Sequence, residues 1–109
     1  MSRPVLVGEL DRRLILERSA DAPDGHGGVS RGWVLVAYVW ARMEPVAAAA
    51  AHDAERPESV TDWRIVIRWR PDISAGLRFR VGSRFLRIDA VSDADSRRRL
   101  LVCRCRQVE

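Results

Sequence analysis

The chain has 109 residues, enough for one compact domain that hides roughly two-thirds of the surface its unfolded form exposes. Hydrophobic residues make up 47% and charged residues 31%, which excludes a disordered tail, and no apolar run nears the ~20 residues of a membrane helix. The net charge is +4 and all nineteen basic residues are arginine, so a Walker A lysine, a Schiff base and a lysine general base are excluded and the positive charge is permanent.

In chain order, the N-terminus carries no secretory apolar region, which predicts that the chain stays where it is made. The dominant hydrophobic period is two, the signature of strands. Residues 10–18, LDRRLILER, predict a first strand with Leu14 and Leu16 on one side. A polar, glycine-rich span over 21–28 predicts a turn. Residues 33–44, WVLVAYVWARME, predict a long second strand that is apolar on both faces for most of its length and so calls for cover on both, a partner subunit being one source of it. Residues 45–61 break the pattern. Alanine favours helix there, and Pro45 and Pro57 suit its ends. Yet the stretch has no large apolar side chain after Val46, so it buries little on its own fold. A projecting loop, or a helix of one to three turns, that gains structure against a partner is expected.

Residues 62–70, DWRIVIRWR, predict a third strand with Trp63, Ile65, Ile67 and Trp69 inward and Arg64, Val66, Arg68 and Arg70 outward. Strands at 77–81 and 84–91 flank Gly82-Ser83, whose order suits a type II′ turn. That turn sets Val81 opposite Arg84, Phe79 opposite Leu86 and Leu77 opposite Ile88. It also sets Arg78 opposite Arg87, a like-charge pair that needs an acid between, for which Asp89 is the candidate. Asp93 and Asp95 predict a turn closed by local backbone hydrogen bonds. Residues 98–106 predict the last strand. Cys103 and Cys105 share one face of it, too close along one strand for a good disulfide, and read as free thiols in a reducing compartment. His26 and His52 lie in separate loops with no ligand spacing to the thiols, so no metal site is expected. The fold expected is all-β: a single domain over 1–109, a small antiparallel β-barrel or sandwich of about six strands with one long loop between the second and third.

The residues hold no catalytic set: no GxSxG, no HExxH and no paired CxxC. An enzyme is not expected, and no cofactor. Arginine-rich strands favour a small β-barrel nucleic-acid-binding module as the alternative, although Trp63 and Trp69 sit on the core face and not on a stacking platform. A third class rests on resemblance. The D-G-H-G-G turn at 24–28 followed by Trp33, the V-W-A-R-M-E-P end of the second strand at 39–45, and R-I-V-I-R-W-R-P-D-I at 64–73 stand in an order that resembles siphovirus head–tail joining proteins, the head-completion, adaptor or stopper parts of the neck. The similarity covers nearly the whole chain. The alanine-rich 46–52 stretch departs from it, where relatives carry a more polar segment with a glycine.

The resemblance implies a structural neck protein of a tailed phage or of a phage-like particle such as a gene transfer agent or prophage product. It would be made in the bacterial cytoplasm and located in the particle neck. It implies a sixfold or twelvefold ring of copies joining the portal-side adaptor to the tail terminator, with DNA passing through without sequence preference and no membrane contact. The channel loop would hold Ala47, Ala48, Ala49, Ala50, Ala51, His52, Asp53, Glu55 and Arg56. Arg64, Arg68, Arg70, Arg78 and Arg87 are the candidates for a ring interface or a DNA-facing surface.

Overall fold

A computed structural model describes residues 7–23, 29–46 and 61–108. A short 3-10 turn at Val7–Glu9 leads into six strands: β1 (Arg12–Pro23), β2 (Val29–Pro45), β3 (Asp62–Arg68), β4 (Arg78–Val81), β5 (Arg84–Asp93) and β6 (Leu100–Val108). Every pairing is antiparallel, and the order β1-β2-β3-β6-β5-β4 closes into a barrel. Closure removes the open sheet edge that a flat six-stranded sheet would expose.

Alternation builds the core. Leu14 and Leu16 of β1, Val39 and Ala41 of β2, Ile65 and Ile67 of β3, Phe79 of β4, Leu86 and Ile88 of β5, and Leu101, Cys103 and Cys105 of β6 are all buried in one cluster. Trp63 of β3 and Trp69, just past the strand's end, pack against it at its margin. The opposite face of β3 is not wholly wet. Val66 is buried with Leu10 and Leu100 in a second, smaller cluster on the outside of the barrel.

The β4–β5 hairpin has the expected register, with Val81 opposite Arg84, Phe79 opposite Leu86 and Arg78 opposite Arg87. Beyond the ladder, the Ile88 N–H donates to the Leu77 carbonyl at 2.8 Å. Gly82 has φ 59° while Ser83 is not left-handed, which is the type II′ combination. The 94–99 turn is held as its aspartates suggest. Asp93 accepts from the backbone N–H of Asp95 and Arg98, and Asp95 from that of Arg97.

Two strands run past the barrel. The β1–β2 ladder continues from Arg12 opposite Ala41 to Pro23 opposite Val29. By contrast β4 pairs with β1 only over Ile15–Glu17, and β3 with β2 only over Ala41–Pro45. The result is a two-stranded ribbon. The expected turn at 21–28 therefore begins later, because Asp21–Pro23 is strand. Outside the barrel there is no core face, so hydrophobic alternation, the signal that marks a strand in sequence, is absent where the ladder persists. The 47–60 part of the expected loop, and His26, lie outside the described residues.

Candidate functional site: the outer face of the barrel and ribbon

The register of β2 breaks once. Leu16 pairs with Ala37 and Glu17 with Leu35, so Val36 is an additional residue. Val36 and Ala37 both pack on the core. With two consecutive residues turned inward, a bulge keeps the outward set in phase on both sides of itself. Trp33, Leu35, Tyr38 and Trp40 consequently share the outer face, at 39%, 51%, 55% and 57% exposure. The cover expected on both faces of this strand is present on the core face, while on the outer face these four side chains remain exposed.

Arginines line the strip. The Arg13 guanidinium lies 4.5 Å from the Tyr38 ring centre. Arg78 is held more tightly. Its guanidinium is 4.0 Å from the Trp33 ring centre and 4.1 Å from that of Phe85, and its Nε donates to Glu17 Oε1 at 2.7 Å. The acid that relieves the Arg78–Arg87 opposition is thus Glu17, and not Asp89. The reason is topological: β1 closes the barrel against β4 and sets Glu17 directly opposite Arg78. Asp89 sits at a register shift in β5 and lies 3.9 Å from Arg106.

Pairing then lines charges up across strands. Glu17, Arg78, Arg87, Arg106 and Asp62 follow one another around β1, β4, β5, β6 and β3, three arginines between two acids. A parallel row sets Arg104 beside Arg64 and Arg64 beside Glu44. Arg64 donates to Glu44 at 3.1 Å, and Arg42 donates to the same carboxylate at 2.8 Å. The Arg42 hydrogen bond, with Arg64 behind it, holds the Glu44 carboxyl below its usual range.

The five arginines expected at an interface or facing DNA are therefore unlike one another. Arg64 and Arg78 are tied to acids of their own chain, and Arg70 grips Asp72 through two hydrogen bonds of 2.9 and 2.8 Å. Arg68 and Arg87 are exposed. Sequence reasoning passed over Arg104 and Arg106, which extend the same face beside Arg87. The alternation of cysteine and arginine over 103–106 is the signal that marks them. Cys103 and Cys105 face the core, where burial pushes the Cys103 thiol up to about 12 and raises that of Cys105 further.

Among the described residues these contacts form no catalytic constellation; what they offer is a closed barrel with a projecting ribbon, one aromatic strip and an arginine-rich side. That is the form of a structural part that meets other macromolecules through its faces. The chain belongs to the phage head completion protein family, whose profile matches residues 5–108. It is similar to a chain in the virion of a native gene transfer agent particle, with 28% identity over 97% of this chain and 98% of that one and a TM-score of 0.68. It is likewise similar to protein SF1141 from Shigella flexneri 2a, with 26% identity over 94% and 96% of the two chains and a TM-score of 0.70. None of the curated proteins compared matches it. The chain is thus a structural protein of a phage or phage-like particle.

Proposed function

We propose that this protein is a neck component that assembles as a ring between the capsid portal or adaptor and the tail, and that its 45–61 segment helps close the DNA channel. What carries the reading is the family match along nearly the whole chain, joined to a likeness at 28% identity to a chain of a gene transfer agent virion. The physical logic supports it. A ring multiplies each side chain by the number of subunits, so exposed Arg68, Arg87, Arg104 and Arg106 become a dense positive collar for DNA held at high density. Short channel segments need little stability each when many meet at one axis. The work is positional and electrostatic, with no bond made or broken.

Two particle preparations test this. Particles made without the protein should fill with DNA and then leak it or fail to acquire tails. Particles made with residues 47–56 deleted should contain the folded barrel and show the same leakage. Tailed, DNA-retaining particles in the complete absence of the protein would refute the neck role. Leakage only in the complete absence, with full retention in the deletion, would refute the channel segment alone.

A second reading, a DNA-binding barrel, is favoured by the exposed arginine row. Under it, the isolated protein binds duplex DNA tightly and with sequence preference at physiological salt. Under the neck reading, binding is weak and sequence-blind, and it falls steeply with salt.

A further inference from the structure

The ribbon has an unfinished surface. A two-stranded ribbon is marginal alone in water, and the apolar strip that begins on it at Trp33 continues along the barrel part of β2 through Leu35, Tyr38 and Trp40. At the ~150–250 Å² of an aromatic side chain, the exposures of Trp33, Tyr38 and Trp40 leave roughly 300 Å² of aromatic surface in water, and Leu35 extends it. That is at the lower end of the about 300–600 Å² of the largest patch on an ordinary monomer, and it is more than a third of one partner's share of a standard interface. The ribbon is also open at both edges. Among the described residues, β2 has β1 on one side from Val29 to Trp40 and no strand on the other, since β3 reaches only Ala41. Among those residues β1 likewise has no second neighbour beyond Glu17, where β4 stops.

From this we infer that the outer face and free edge of β2 are the contact surface for a second copy of the same chain, joined head to tail. The two open edges identify the occupant. A different protein would have to bring an unpaired edge of its own. A second copy carries one by construction, the β1 edge beyond Glu17, and joining the β2 edge of one copy to the β1 edge of the next leaves each molecule with one edge of each kind to offer onward. Such a heterologous contact repeats and closes into a ring. Arg78, pinned under Trp33, keeps its acid Glu17 when water leaves, and Arg13 stays stacked on Tyr38. The inference rests on the ring reading above and adds to it the face and the edge that the ring uses.

The test uses assembled particles. Tyr38→p-benzoylphenylalanine places a photoreactive ring in the strip with little change of shape, and Leu35→p-benzoylphenylalanine is the second position should the first fold poorly. The same probe replacing Arg87, across the barrel, is the control. Irradiation should link the strip probes to a second copy of this chain, giving a dimer and higher ladder, while the Arg87 probe should give far less. In parallel, Trp40→Glu should lower incorporation into particles about tenfold or more while the isolated protein melts as before. Crosslinks from the strip mainly to a different particle protein, or none at all, overturn the inference and leave the neck role standing. A wild-type chain missing from the particle neck would instead overturn the reading on which it rests.

Discussion

Glu17 is the residue whose removal should reveal most about how this barrel tolerates its arginines. It stands opposite Arg78, which itself stands opposite Arg87. The side chains of Glu17 and Arg78 are only 10% and 17% exposed, and the guanidinium is stacked on two aromatic rings. Breaking a fully buried pair from one side costs about 3–5 kcal/mol, because the surviving charge is left without a counterion. With the residual solvent access here, Glu17→Gln should cost about 2–3 kcal/mol. For a domain of this size that corresponds to a melting temperature lower by roughly 10–20 °C. Arg78→Met keeps the packing against Trp33 and Phe85 but strands the carboxylate, and should cost a similar amount. The double variant removes both charges and should cost no more than either single change, so the coupling in the cycle should be about 2–3 kcal/mol. Urea unfolding followed by circular dichroism measures all four proteins. A Glu17→Gln variant within about 0.5 kcal/mol of the parent, or additive losses in the double variant, would show that solvent or another group neutralises Arg78 and that the pair is ornamental.

Other expectations follow from single features. Gly82→Ala should cost about 1 kcal/mol in urea unfolding through backbone strain alone, since φ is 59° and no atom lies within 4 Å of the added methyl. The buried thiols should be silent to a disulfide reagent at pH 8 in the folded protein and both should react in denaturant, whereas rapid reaction without denaturant would contradict their burial. Because burial raises their pKa above the ordinary 9.0, they favour the folded state fully below about pH 9 and withdraw that support as pH climbs towards 12. Stability should therefore fall by about 1 kcal/mol per thiol per pH unit above pH 9, and Cys103→Ala with Cys105→Ala should flatten that limb. At the acid end the sign reverses. Glu44, Asp72 and Asp95 have lowered pKa values, held there by hydrogen bonds from Arg42, Arg70 and Arg99 respectively, so their contribution is present above the ordinary carboxylate pKa and fades as pH drops through the lowered ones. Denaturation midpoints between pH 5 and pH 2 check this, and Glu44→Gln should lessen the fall.

How much of this was legible from residues alone depends on whether a feature is local. The inward faces of β1, β3 and β4–β5 follow from alternation, and the II′ turn fixes the Arg78–Arg87 register from two residues. The conflict between those arginines is visible in the sequence, but its resolution is not. Glu17 lies sixty-one positions from Arg78, and only barrel closure, which pairs the first strand with the fourth, brings them together. Asp89 is the nearer acid along the chain and the wrong one, because a register shift in β5 re-aims it. The ribbon was hidden for a related reason. Past Glu17 the strands have no core to face, so hydrophobic alternation stops while backbone pairing continues through Pro23 and Val29.

The same bulge that obscures the reading of β2 also explains its composition. Without an additional residue at Val36, strict alternation would turn Trp33 and Leu35 towards the core side while Tyr38 and Trp40 faced out, and the strand would offer two short apolar pieces on opposite faces. With it, four large side chains form one line on one face, and Val36 and Ala37 seal the core beneath. An isolated monomer gains nothing from that alignment and carries an aggregation risk at the β2 edge. The alignment is useful only to a molecule whose outer strand meets another surface. The unusual run WVLVAYVW, apolar at every position, is what one strand needs to serve a core on one face and, as inferred above, an interface on the other.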